Sequence, residues 1–156
     1  MFVSWGALCW LPDIAAWSLV VSRLLKPNGW LALAEAHPAA YVFDDMAAAP
    51  DGLKPGWFTP YLGREALVLD QELDYANPAA RLKNTRTHEW LHPLSDIIGG
   101  LLEAELRLDS FAEHDRLPWR MFKTLVERPG GWWTWPDRKW LPLSYTLRAS
   151  KPLSTA

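Results

Sequence analysis

His88-Glu89-Trp90-Leu91-His92 has the spacing H-E-x-x-H. On a helix, residues four apart share a face, so two imidazoles could hold zinc while the carboxylate activates a water. The surrounding sequence points elsewhere. Pro93 follows at once, and a residue before proline avoids helical backbone. Thr85 and Thr87 suit a strand. Ser95 and Ile98 stand where an extended motif would carry its glycine and third histidine, leaving Glu113 as a third ligand in principle. The expectation is that His88 and His92 share no metal, with His88 on a strand and His92 at the entrance to the next helix. A zinc hydrolase through His88, Glu89 and His92 stays as the lesser alternative. The lone cysteine, Cys9, can form no internal disulfide, which fits a reducing cytoplasm. Eleven tryptophans, with Trp132, Trp133, Trp135 and Trp140 close together, supply either buried area or an aromatic pocket wall that would favour a cation.

These residues need elements to position them. The 156 residues suit one domain, and an apolar share of 49% is enough for a core. A formal net charge of −2 with no Lys/Arg block gives no support to a nucleic-acid or membrane partner. The apolar start, Met1 to Val21, has no cation before Arg23, is interrupted by Pro12-Asp13, and then follows a helical period. It therefore reads as neither leader nor membrane span.

Phe2-Val3-Ser4 resembles the end of a buried strand, and Trp5 to Pro12 reads as a loop. Asp13 is a candidate N-cap for a helix whose stripe is Ile14, Trp17, Val20, Val21, Leu24 and Leu25. Lys26-Pro27-Asn28-Gly29 ends it, and Trp30 to Ala34 is a short strand closed by Glu35. Residues 36–64 read as a short helix and a long loop. Glu65 to Tyr75 and Leu82 to Trp90 read as an inserted antiparallel hairpin, about residues 65–91, connected at Asn77-Pro78. Ser95 to Leu106 is a second helix, with Ser95 as cap and Gly99-Gly100 admitting a close neighbour. Arg107 to His114 is a strand, Arg116 to Arg138 a long connection, Leu141 to Ala149 a final strand, and residues 151–156 a frayed tail. Alternating strands and helices indicate an α/β sheet, with the last two strands antiparallel.

The run Ser4-Trp5-Gly6-Ala7-Leu8-Cys9-Trp10-Leu11-Pro12-Asp13, then a helix, then Leu24-Leu25-Lys26-Pro27-Asn28-Gly29 and a short strand resembles class I S-adenosylmethionine (SAM) dependent methyltransferases, from the end of their fourth strand onward. Asn28 replaces the first glycine of that family's turn, and Asn also tolerates positive φ. Glu35-Ala36-His37-Pro38, Thr87 to His92 and the final strand are similar to one branch of the family. The resemblance covers nearly the whole chain.

It implies a partial Rossmann-like doubly wound sheet over residues 1–150, with Trp30–Glu35 a central parallel strand and Leu141–Ala149 antiparallel between it and Arg107–His114. It implies methyl transfer from SAM to a small-molecule acceptor. Ser4, Trp5, Gly6 and Leu8 would line the cofactor pocket, and Glu35, His37, Trp90 and His92 the acceptor pocket. His37 would position or deprotonate the acceptor, since imidazole titrates near neutrality; the competing role is a structural histidine bonded to backbone. No G-x-G turn occurs in the sequence. The family's Gly-rich turn and ribose-binding acid are therefore expected to be missing. The isolated chain is expected to turn over poorly and to self-associate through the apolar edge of Phe2–Ser4. A non-catalytic remnant or binding module is the alternative from another class.

Overall fold

The computed structural model describes residues 1–44, 56–70, 77 and 79–153. Strand β1 (Phe2–Ser4) leads through a 3-10 turn at Leu8–Trp10 into helix α1 (Ile14–Leu24). The carboxylate of Asp13 caps α1, accepting from the Ala16 N–H at 2.9 Å. The turn after α1 puts Asn28 at φ 61°. A side chain at Gly29 would meet the Lys26 carbonyl at 2.7 Å, so only glycine fits there. Strand β2 (Trp30–Ala36) follows and runs parallel to β1.

Next come the two-residue strands β3 (Phe43–Asp44) and β4 (Gly56–Trp57), which pair antiparallel. Strands β5 (Leu67–Asp70) and β6 (Arg86–Glu89) also pair antiparallel, from Leu67 opposite Glu89 to Asp70 opposite Arg86. They are shorter than the expected Glu65–Tyr75 and Leu82–Trp90. Residues 71–76 and Pro78, at the expected connection, lie outside the described residues.

Helix α2 (Leu94–Glu103) starts one residue earlier than expected, with Pro93 at the cap. Ser95 is therefore not the cap; its hydroxyl donates to Asp96. The orphan N–H of Leu94 is satisfied instead by the Tyr61 hydroxyl, at 3.2 Å. Strand β7 (Arg107–His114) has the expected bounds. The stretch expected as a long connection is ordered as β8 (Arg116–Leu117), β9 (Val126–Arg128) and β10 (Trp132–Thr134), a small antiparallel sheet in the order β8-β10-β9. Its tryptophans and prolines concealed the alternation. The last strand is β11 (Ser144–Ser150), and the main sheet runs β1-β2-β11-β7. β11 lies antiparallel to both neighbours, as expected.

One face of the main sheet carries Leu31, Leu33, Tyr145, Leu147 and Ala149. Both helices cover it, through Ile14 and Val21 of α1 and Ile97 and Leu101 of α2. The expectation of a doubly wound sheet, with helices on both faces, is not met among the described residues. Thr146 and Arg148 on the other face are exposed. The helices pack closely because Gly100 stands against Ser18, whose Oγ would lie 2.9 Å from an added Cβ. Beyond the carboxyl end of β2, a second core gathers Ala36, Ala40, Leu117, Phe122, Leu125, Trp135 and Leu143. Lys151 is no frayed tail: its backbone bonds Asn28 and Gly29, and its Nζ donates to the Ser22 carbonyl at 2.8 Å. No helix among the described residues is long and apolar enough to cross a membrane.

Candidate functional site

In open α/β sheets, ligands gather at the carboxyl ends of the strands. Two parallel strands, β1 and β2, end side by side here. After β1 the chain turns through Trp5 at φ 40° and Gly6 at φ 74°, the left-handed region that only glycine enters freely. This turn aims three successive backbone N–H groups at one point. The carboxylate of Glu35, at the end of β2, occupies that point. It accepts from Gly6 at 2.7 Å, from Ala7 at 2.6 Å and from Leu8 at 3.3 Å. Glu35 is 6% exposed. Its oxygens are thus committed to holding the loop.

Beside this loop lies a cavity of about 290 Å³. Its floor and near wall are Gly6, Leu8, Glu35 and Tyr145; Leu67, Leu69 and Glu89 come from the β5–β6 pair; Trp90, His92 and Ile97 close the side toward α2. The wall is tied down at several points. The Trp90 N–H donates to the Cys9 carbonyl at 2.8 Å. Arg64 clamps Asp96 with two bonds of 2.9 and 3.0 Å. The structure therefore brings Gly6, Leu8, Glu35, Trp90 and His92 to one cavity, and leaves Ser4, Trp5 and His37 off its lining. Trp5 turns instead to the second core, edge-on to Trp119 at 5.7 Å.

His37 lies just past the end of β2 and is 4% exposed. Its Nδ1 accepts from the Ala39 N–H at 3.1 Å, which leaves the proton on Nε2, donating to Glu113 at 2.9 Å. Burial lowers its pKa below the ordinary 6.5, and the neighbouring Glu113 opposes that. Both ring nitrogens are engaged, so the geometry is that of a positioning residue rather than a base with a free lone pair. His88 is an exposed residue of β6, while His92 precedes α2 and donates from Nε2 to the Leu11 carbonyl at 2.8 Å. A strand cannot put residues four apart on the helical face that H-E-x-x-H needs. The described residues hold no group of three or more His, Cys, Asp or Glu able to hold a metal ion.

Sequence reasoning missed Cys9, Tyr41, Phe58, Glu89 and Tyr145 as cavity residues. The Cys9 thiol donates to the Gly6 carbonyl, and burial, helped by Glu89 and Glu35, pushes its pKa up to about 12. It is consequently a packed thiol and a poor nucleophile. Tyr145 is 1% exposed, and its hydroxyl has no partner among the described residues. Burial pushes its phenol well above the usual range, so it keeps its proton. The signal for Tyr145 was its place in the row Leu143-Tyr145-Leu147, a hydroxyl in an otherwise apolar alternation.

No family model matches the chain, and no curated protein matches it. Among solved structures it is similar to an S-adenosylmethionine dependent methyltransferase structure from Listeria monocytogenes, with a TM-score of 0.61 and 16% identity over 96% of this chain and 60% of that one. A methyltransferase from Mesorhizobium loti gives a TM-score of 0.53 at 17% identity, over 96% and 60%. One from Methanosarcina mazei gives 0.50 at 16%, over 98% and 59%. The chain spans about 60% of the length of the first of these structures. At such identities the likeness concerns the fold, and the chain has an α/β fold of the class I methyltransferase type.

Proposed function

We propose that this chain serves SAM-dependent methyl transfer to a small-molecule acceptor. The observation that carries the reading is the placement of the cavity: it opens beside the carboxyl ends of β1 and β2, in a fold similar to that of methyltransferases. In this reading the loop Ser4-Trp5-Gly6 with Leu8 borders the donor, the β5–β6 hairpin is an insertion that walls the acceptor side, and the working compartment is the cytoplasm. Methyl transfer requires an acceptor lone pair held in line with the methyl carbon, which positioning alone can supply. The engaged nitrogens of His37 are compatible with that. SAM is the group expected to bind; its sulfonium is the methyl source. This chain's part is to hold the loop through Glu35 and to shape a dry wall from Leu8, Trp90 and Ile97.

The 156-residue sequence has no G-x-G turn of the kind expected from the resemblance. Two or three missing charge-assisted hydrogen bonds, each worth about 1.5–3 kcal/mol, would weaken SAM binding by roughly 10³-fold or more. The isolated chain should therefore bind SAM only at millimolar concentration. Saturation-transfer NMR at millimolar SAM tests this, with Gly6→Val as the variant that closes the loop. Transfer to the adenine protons that Gly6→Val abolishes is the expected result. No transfer at all would sink the donor reading. Micromolar affinity from a well-behaved monomer would sink the view that a Gly-rich turn is needed.

A further inference from the structure

The cavity differs from an ordinary gap between elements in one respect: it has a buried polar group without a partner. Tyr145 lines it, is 1% exposed, and its hydroxyl meets no hydrogen-bonding group among the described residues. A buried hydroxyl left this way is costly, and native proteins rarely keep one without reason. The ring itself is fixed, edge-on to His37 at 6.1 Å and tilted against Phe111 at 5.9 Å, so the hydroxyl cannot swing to solvent without breaking that packing.

The cavity also has a charge preference. Its described lining includes the carboxylates Glu35 and Glu89 and no lysine or arginine. The oxygens of Glu35 are taken by three N–H groups. Among the described residues Glu89 has one long contact, from the Thr87 hydroxyl at 3.4 Å, and so keeps acceptor capacity toward them. The nearby Nε2 of His92 is spent on Leu11. Apart from the Tyr41 phenol and the Cys9 thiol, the remaining walls, among them Leu8, Leu67, Leu69, Trp90 and Ile97, are apolar or aromatic.

We propose that this cavity binds a small, largely apolar molecule carrying a basic nitrogen, with the Tyr145 hydroxyl as its buried hydrogen-bond partner and Glu89 facing the nitrogen. The body of the ligand replaces water along the leucine and tryptophan walls. Its ammonium is held by an acidic lining that repels a carboxylate of the same shape. Naming this ligand as the methyl acceptor rests on the methyltransferase reading; its binding does not.

The test uses a matched set of probes without SAM: 2-phenylethylamine, 2-phenylethanol and 3-phenylpropionate, titrated against the full chain by calorimetry and ligand-observed NMR. The amine should bind at least about tenfold more tightly than the carboxylate, with the alcohol between them. Tyr145→Phe should weaken the amine by about tenfold while leaving thermal stability equal or higher, since the hydroxyl has no protein partner to lose. Glu89→Gln, at a half-buried position, should erase the preference for amine over alcohol. Binding of the carboxylate as tightly as the amine, no binding of any probe, or a Tyr145→Phe variant with unchanged amine affinity would each overturn the proposal. Amine binding by a chain that gives no saturation transfer at millimolar SAM would support the proposal and remove only the donor reading.

Discussion

The molecule has two cores built on opposite plans. The first, between α1, α2 and the main sheet, is aliphatic and periodic: Val21, Leu31, Leu33, Ile97, Leu101 and Leu147 recur at helix or strand spacing. The second, under β8, β9 and β10, is aromatic and irregular. It stacks Phe122 on Trp135 at 5.6 Å, and adds Trp5, Trp119 and Trp133 at its margin. Strand β2 reaches both, with Leu31 and Leu33 in the first and Ala36 in the second. Leu143, just before β11, also joins the second, and the seam between them falls at the row Glu35–Tyr145–Glu113. The difference teaches where a site is affordable in physical terms. Polar groups gather at this seam, with Tyr145 still part of the first core, and the cavity opens there.

If the two cores are separate cooperative units, a deletion in one should leave the other protected. Phe122→Ala should cost about 3–5 kcal/mol, the largest effect expected here. Hydrogen exchange should then show faster amides in β8–β10 with α1 and α2 little changed. Uniform loss of protection would merge the two cores into one. At the seam, Glu35→Ala strips three N–H groups of their acceptor and should cost roughly 3 kcal/mol, with Glu35→Gln costing about half of that. Chemical denaturation measures both, and a cost under half a kcal/mol for Glu35→Ala would deny the loop its anchor.

A smaller effect separates the two adjacent glycines of α2. Gly100→Ala forces a methyl against Ser18 and should destabilise by about 1–2 kcal/mol. At Gly99 an added Cβ meets nothing, so Gly99→Ala should stabilise by up to about 1 kcal/mol. Equal signs for the pair would place the helix contact elsewhere. The smallest effect is one of pH. Burial lowers the pKa of His37 in the folded state, so the unfolded chain takes up its proton first as pH falls below 6.5. Stability should decline from there toward the folded value, and His37→Gln should flatten that part of the curve. The Asp96 and Asp109 carboxyls, held below 3.8 by hydrogen bonds from Arg64 and Arg107, act only in a more acid window.

The contrast between the cores also explains what the sequence disclosed. The cap at Asp13, the turn at Asn28-Gly29 and the strand Arg107–His114 follow local periods or turn chemistry, and each was legible. Of the expected α1 stripe, Ile14, Val21 and Leu25 are buried and Trp17 packs against them, while Val20 and Leu24 are exposed. The strand order came from the resemblance to methyltransferases, and only the antiparallel run of the last two strands was read from the residues themselves. The β8–β10 sheet was not legible, since its strands are two or three residues long and Trp132-Trp133 gives no alternation. The site was half legible. Its loop was visible at Trp5-Gly6, but the engagement of Glu35 depends on a contact across 29 residues, and the orphan hydroxyl of Tyr145 on packing that no local pattern encodes.

The hold of Glu35 on its loop has one more consequence. A carboxylate at the mouth of three converging N–H groups is in effect an anionic ligand tethered to its own receptor. Its effective concentration is set by β2 and can stand at millimolar or above without any free anion. The Glu35→Ala chain would turn that internal association into an ordinary bimolecular one. Formate or acetate, at concentrations that leave the native protein unchanged, should then refill the place and recover part of the lost stability. The loop is thus a permanently saturated anion receptor, and its shape follows whatever moves the end of β2.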